Sequence, residues 1–292
     1  MIEVQGLSKK YKGNEFYSLK DANFKIEKGD IVGLVGKNGS GKSTLLKIIA
    51  KSQRPTEGTV LYKGKDIFSE DNILQDFGIM IEPVFYPQIS VEENLKLYLK
   101  IHKKEQYLSN IEPTLKLVGL WQAKDRKPRD FSFGMKQRTA LAIALVTEPQ
   151  FVLLDEPFVG LDPIGVKNLL AILKKWSETN NTSMIISSHQ LSELEDICTR
   201  YLFIESGFIN DHISTDQNSL VIELNELNED HSKLVDQLVE KYGVSKVELG
   251  LEVDSSIDNN HLNDIFEQLA KAGLIKNVLS KKDSIERLFV ED

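Results

Sequence analysis

Gly36-Lys37-Asn38-Gly39-Ser40-Gly41-Lys42-Ser43, followed by Thr44, has the residue types and spacing that hold a phosphate chain, G-x-x-x-x-G-K-[ST]. The glycines let successive backbone N–H groups turn inward onto phosphate oxygens. A helix opening at Ser43 adds about half a positive charge at its N-terminus. Lys42 is expected to reach the β- and γ-phosphates, and the Ser43 hydroxyl to take one position on Mg2+. A Gly-rich turn before a helix is the simpler alternative. Against it stand Ile31-Val32-Gly33-Leu34-Val35, which reads as a buried strand, and Ser43–Ala50, which reads as a helix. The loop is therefore read as a nucleoside triphosphate site.

Three further stretches end apolar runs in polar residues, as strands do where α/β proteins bind ligands. Phe151-Val152-Leu153-Leu154 runs into Asp155-Glu156-Pro157, which puts Asp155 near Mg2+ and Glu156 near the attacking water. An acidic pair on the surface is the bland alternative, and the buried strand weakens it. Met184-Ile185-Ile186-Ser187-Ser188 ends at His189, expected to sense or stabilise charge beside the phosphates, although a lone His is more often structural. Phe77-Gly78-Ile79-Met80-Ile81 ends at Glu82, where a metal or water contact competes with a solvated loop carboxylate. Tyr11 lies about 25 residues before the loop, close enough to stack on a base, against the alternatives of a partly buried strand tyrosine or of Phe16 or Tyr17 supplying that ring. Ser132, in Phe131-Ser132-Phe133-Gly134-Met135-Lys136-Gln137-Arg138, is placed to N-cap an Ala/Leu-rich helix read over Thr139–Val146. With Gly134 beside it, this helix start is a second candidate anion site, although an N-cap without a ligand is the commoner meaning. Gly160-Leu161-Asp162-Pro163 reads as a turn before a helix over Ile164–Thr179.

The elements that must position these residues form an α/β pattern. Ile2-Glu3-Val4, Phe24-Lys25-Ile26 and Thr59-Val60-Leu61-Tyr62 read as strands. Residues from about 90 to 130 read as helical, opening with the capping box Ser90-Val91-Glu92-Glu93. The apolar stripe of Leu95, Leu97, Tyr98 and Leu99, and that of Ile111, Leu115, Val118 and Leu120, are read as core.

The 292 residues, 41% of them hydrophobic and 27% charged, suit a soluble chain of two domains or of one large and one small. No run approaches the roughly 18 apolar residues of a membrane span, and no signal peptide precedes Ile2, so a cytoplasmic location is expected. Cys198 is the single cysteine, which excludes an intrachain disulfide and reads as a small core residue. The net charge of -8 argues against nucleic acid as a partner. Residues 211–292 hold 18 Asp and Glu against 8 Lys and Arg, whereas the preceding part is slightly basic, marking a boundary near residue 210.

Taken in order, these motifs resemble the ATP-binding subunit of ABC transporters over about residues 1–210. The Walker A loop is Gly36–Ser43, the Walker B strand is Phe151–Asp155 with Glu156 next, the D-loop is Gly160-Leu161-Asp162, and the switch histidine is His189. The resemblance implies a P-loop ABC ATPase cassette, with a RecA-like core and a helical subdomain at about residues 88–145. It implies ATP and Mg2+ as cofactors, with Tyr11, the loop residues Gly36 to Thr44, Glu82, Ser132, Gly134 and Asp162 at the nucleotide and Ser43, Asp155 and Glu82 at the metal. It also implies Glu156, His189 and Lys42 as catalytic residues, a dimer with two ATPs sandwiched between subunits, and a separate membrane permease as partner. That permease would hold the chain on the inner face of the membrane, docked at the Glu82–Pro87 loop.

Two departures stand out. The family's signature usually reads LSGGQ and here reads Phe131-Ser132-Phe133-Gly134-Met135, and the family's Q-loop glutamine is Glu82. Such substitutions are similar to the bacitracin/lantibiotic exporter branch, which implies export of peptides or resistance to them. Residues 211–292 are expected to form a small α+β domain. Its strands are read at Leu220–Leu224, Val247–Val253 and Ile275–Leu279, its helices at about 231–242 and 261–272, and a last helix at Ser284–Phe289. A dimer-stabilising or regulatory role is expected of it. The rival functions are a soluble ABC ATPase acting on DNA or ribosomes, a nucleotide-gated module without hydrolysis, and an importer subunit. No long coiled coil or second cassette supports the first, and intact Lys42, Asp155, Glu156 and His189 oppose the second.

Overall fold

The apolar run before the phosphate loop becomes a central strand of a six-stranded sheet, and the run after it becomes a helix. The computed structural model describes every residue except Pro83 and residues 213–218, 226–227, 248–249, 255–256 and 281–292. The chain forms two compact units, Met1–Ile213 and Ser214–Asp292, so the division falls three residues after position 210.

In the first unit, β1 (Ile2–Lys9), β2 (Leu19–Ile26), β4 (Glu57–Tyr62) and β5 (Lys65–Asp66) make an antiparallel sheet in the order β2-β1-β4-β5. The second sheet contains β3 (Ile31–Val35), β6 (Phe77–Met80), β7 (Phe151–Leu154), β8 (Ser183–Ser188), β9 (Arg200–Glu205) and β10 (Phe208–His212). Its order is β10-β9-β3-β8-β7-β6, parallel throughout except for β10 on the edge. Every residue of β3, β7 and β8 is buried, as continuous apolar strands are when both faces of a parallel sheet are covered.

The helix after the phosphate loop, α1 (Lys42–Ile49), belongs to the same core as both sheets. Leu45, Leu46, Ile48 and Ile49 have no exposed surface and share that core with Leu7 and Ile26 of one sheet and Leu34 and Leu153 of the other. Burying four such side chains stabilises the unit by about 1.5–3 kcal/mol each.

The helical region follows the sequence reading at its start and departs from it later. In α2 (Val91–Ile101), the Ser90 hydroxyl accepts from Glu93 N–H at 3.2 Å while the Glu93 carboxylate accepts from Ser90 N–H at 2.7 Å. This completes the expected capping box. Ser90→Ala is expected to cost about 1 kcal/mol, read as a lower denaturant midpoint at unchanged slope. The second stripe folds in and around α3 (Ile111–Leu117), with Ile111, Leu115, Val118 and Leu120 all buried. Residues 121–130, expected to be helical, carry only the short 3-10 turns Trp121–Ala123 and Pro128–Asp130. Pro128 lacks the N–H that a longer helix would use. Helix α4 (Phe133–Leu145) begins six residues before Thr139, because Ser132 caps it there and accepts from Met135 N–H at 3.4 Å. Helix α5 (Pro163–Asn180) starts at the expected turn, capped by Asp162 accepting from Gly165 N–H at 2.7 Å. Cys198 is half-buried, and burial pushes its thiol pKa up.

The second unit contains β11 (Leu220–Leu224), α6 (Glu229–Tyr242), β12 (Ser245–Val247), β13 (Gly250–Val253), α7 (Asn259–Lys271) and β14 (Ile275–Ser280). This β-α-β-β-α-β order, with an antiparallel sheet arranged β12-β13-β11-β14, is the split β-α-β arrangement. Ile222, Leu251 and Val253 pack against Leu238, Ile265 and Leu269 in its own core. The strand expected over Val247–Val253 is in fact an antiparallel pair in which Val247 faces Gly250. Gly250 sits at φ 153°, a conformation only glycine adopts easily, and a Cβ there would meet Ile222 O at 2.1 Å. The expected helix Ser284–Phe289 lies outside the described residues.

Candidate functional site

Four parallel strands deliver the candidate residues to one edge of the six-stranded sheet. Val35 pairs with Ser188, Leu154 with Ile186 and Met80 with Leu154, so the chain leaves β3, β8, β7 and β6 on the same side. Gly36–Ser43 follows β3, Asp155 and Glu156 follow β7, His189 follows β8 and Glu82 follows β6. This is the carboxyl edge at which open α/β sheets bind ligands.

The loop from Gly36 to Ser43 is held by its own lysine. Lys42 is only 5% exposed, and its ammonium donates to Gly36 O at 2.6 Å and to Lys37 O at 3.2 Å. Gly41 occupies the turn into α1 at φ 119°, where a Cβ would sit 2.3 Å from Ser18 O. The Ser40 hydroxyl is buried and has no hydrogen-bond partner among the described residues. An orphaned buried hydroxyl within this loop fits a phosphate chain that would supply the missing partner. Lys37, Asn38 and Gly39 are exposed on the outer rim of the same loop, as is the Ser43 side chain at the start of α1.

A carboxylate bridges this loop to the switch position. Glu156 reaches Lys42 Nζ at 3.1 Å through Oε1 and His189 Nδ1 at 2.9 Å through Oε2. Its backbone lies at φ 47°, a left-handed conformation that costs a non-glycine residue about 1–3 kcal/mol. Ser187 offsets part of that cost: its hydroxyl accepts from Glu156 N–H at 2.8 Å and donates to Asp155 Oδ1 at 2.6 Å. Gln190 Nε2 lies 3.2 Å from His189 Nε2, so both ring nitrogens have partners. The residues present fit a hard cation with oxygen ligands, since Ser43 in α1 after β3 and Asp155 after β7 offer a hydroxyl and a carboxylate at the same sheet edge. Ser187 was read in the sequence only as part of the polar end of a strand, with no role of its own. The serine pair that follows the apolar Met184–Ile186 was the available signal.

Tyr11 follows β1, half-buried, and its hydroxyl donates to Gln53 Oε1 at 2.6 Å and lies 3.4 Å from Thr44 Oγ1. This brings its ring to the side of α1. Phe16 stands 66% exposed. Glu82 extends from the strand edge, 76% exposed, and pairs with Lys47 Nζ at 2.8 Å. The hydrogen bond with Lys47 holds the Glu82 carboxyl below its usual range, and the same bond raises Lys47. Beyond it, Asn94 pins the loop to α2: its amide accepts from Tyr86 N–H at 2.7 Å and donates to Tyr86 O at 3.0 Å. A groove of about 630 Å3 opens here, lined by Lys47, Glu82, Val84, Tyr86, Tyr98 and Ile101.

Ser132 and Gly134 lie apart from this cluster, at the start of α4, beside the D-loop. Phe133, 51% exposed, lays its ring against Gly160, where a Cβ would come within 2.9 Å of it. Leu161 packs in the same way on Gly134, with 3.1 Å between Cδ2 and a Cβ built there. The signature segment and the D-loop therefore form one packed ridge, with Asp162 spent on capping α5.

A sandwiched P-loop helix, two carboxylates on a buried strand and a histidine on its neighbour define a nucleotide-hydrolysing cassette. The family model described as ABC transporter matches residues 19–159. An uncharacterized ABC transporter ATP-binding protein of Bacillus subtilis is 36% identical over 233 residues, covering 77% of this chain and 74% of that protein. The bacitracin transport ATP-binding protein of Bacillus licheniformis is 31% identical over 313 residues, covering 100% of this chain and 96% of its own. A lantibiotic transport ATP-binding protein of Streptococcus pyogenes is 36% identical over 209 residues, covering 72% and 89%. A methionine import ATP-binding protein of Cupriavidus metallidurans is 34% identical over 221 residues, covering 71% and 63%. Among solved structures, a bacterial ABC transporter cassette determined as a dimer has a TM-score of 0.65 at 28% identity, covering 72% of this chain and 97% of that one. The chain belongs to the ATP-binding subunits of ABC transporters, ATPases that couple ATP hydrolysis to transport. No helix among the described residues is long and apolar enough to cross a membrane.

Proposed function

We propose that this chain energises a separate membrane permease that exports peptides or confers resistance to them, working as a dimer of ATPase subunits. One observation carries the reading: Lys42, Glu156 and His189 meet in a single chain of contacts at the mouth of the phosphate loop.

In this reading the loop amides and Lys42 hold the β- and γ-phosphates, and Tyr11 stacks on the base. Glu156 orients the attacking water and accepts its proton, and His189 contacts the γ-phosphate. Asp155 and Ser43 hold the metal, with Glu82 in reach of it. Mg2+, when bound, offsets charge on the phosphates and on the leaving oxygen. Ser132 and Gly134 of one subunit face the nucleotide held by the other, which accounts for their distance from Lys42. Asp162 belongs to that interface through the ridge it shares with Gly134. The groove beside Glu82 takes the permease, so the chain works on the inner face of the membrane although no helix among its described residues could span it. The unit Ser214–Asp292 serves dimerisation or regulation.

Peptide export is favoured by the bacitracin transport relative, which matches the whole chain. An importer is the second reading, favoured by the methionine import relative. The test is a pull-down of tagged Glu156→Gln protein from native membranes with ATP present. A co-purifying polytopic permease is the expected result, and its encoded neighbours distinguish peptide export from import with a solute-binding protein. Ribosomes or DNA-repair proteins without a permease would overturn the transporter assignment for this chain.

A further inference from the structure

Lys47 and Glu82 form a contact that the nucleotide chemistry leaves unused. Lys47 lies four residues after Ser43 on α1, hence one turn along the same helix face as the hydroxyl assigned to the metal. Its ammonium is 29% exposed and pairs with Glu82 at 2.8 Å. It also lies within electrostatic reach of Asp155 and Tyr11. A cation one helical turn from the hydroxyl assigned to the metal thus holds the carboxylate of Glu82. The same two residues line the groove beside α2, so the pair joins the nucleotide side to the docking side.

We propose that Lys47 is a positioning residue that holds the Glu82 carboxylate off the nucleotide's metal, so that ammonium and Mg2+ compete for one carboxylate. The proposal rests on the nucleotide-site reading above. It gives the glutamate a use that a neutral glutamine would lack: Glu82 has two charged partners, and the loop leading to Tyr86 follows whichever one it takes. Because Asn94 ties that loop to α2, the choice of partner is transmitted to the groove wall.

The test measures binding of a fluorescent, non-hydrolysable β,γ-imido ATP analogue to the full chain across a Mg2+ titration, with no turnover involved. Lys47→Gln is expected to lower the Mg2+ needed for half-maximal binding by about two- to five-fold, the range set by an exposed ion pair. In a Glu82→Gln background the same change is expected to shift it by less than about 1.5-fold, and Lys47→Arg is expected to behave as the unaltered protein. An equal shift in the Glu82→Gln background would reduce Lys47 to a general source of positive field and overturn the proposal. So would an unchanged Mg2+ requirement in Lys47→Gln, or a shift as large in Lys47→Arg. Failure of the nucleotide-site reading has a different signature: the unaltered chain would not bind the analogue at any Mg2+ concentration.

Discussion

Glu156→Gln is expected to bind ATP and to hydrolyse it about 10²–10⁴-fold more slowly than the unaltered chain, the range set by loss of a positioned general base. The substitution keeps the size of the side chain and leaves the backbone hydrogen bond from Glu156 N–H to Ser187 intact, so the left-handed turn at φ 47° survives. What disappears is the negative charge that pairs with Lys42 and His189. Phosphate release at saturating ATP, beside equilibrium binding of a fluorescent ATP analogue, separates the two effects. Turnover at the normal rate would remove Glu156 from the chemistry and transfer the role to another group at the strand edge.

Lys42→Ala should act on binding instead. Among the described residues Lys42 is the one buried cation, and its ammonium satisfies two loop carbonyls as well as the Glu156 carboxylate. Its removal leaves that carboxylate facing an incoming triphosphate without an opposing charge. A hydrogen bond between charged groups contributes about 1.5–3 kcal/mol, so affinity for the ATP analogue is expected to fall about 10- to 10²-fold. Lys42→Arg is expected to restore little, because a planar guanidinium does not fit where a side chain 5% exposed now ends. An affinity within about threefold of the unaltered chain for Lys42→Ala would contradict the assignment of the loop.

The sequence disclosed the strands that carry chemistry because each is an apolar run cut off by polar residues. Phe151–Leu154 followed by Asp155 is legible for that reason, and so is Ile31–Val35 before Gly36. The capping box at Ser90 was legible because both partners are local. What lay hidden depended on distant contacts. The β9–β10 hairpin turns at Ser206-Gly207, a signal that was there to read, but the place of β9 beside β3 comes from contacts distant in sequence. Ser132 was legible as the cap of α4, whereas the helix itself read only from Thr139 because Phe133 and Gly134 are poor helix formers that packing on the D-loop carries. The strand Val247–Val253 read as one element because alternation continues through a reversal of the chain. At the site, residue types were legible and partners were not: Ser187 beneath Asp155, Gln53 on Tyr11, and Lys47 on Glu82 each bridge separate segments.

The burial of α1 among both sheets has a mechanical consequence. The phosphate-gripping loop grows directly out of the stiffest part of the unit, whose four apolar side chains have no surface to yield. It works as the fixed jaw of a vice. Any movement against that jaw falls to parts of the unit outside this core, among them the exposed side chains of Glu82 and Phe133.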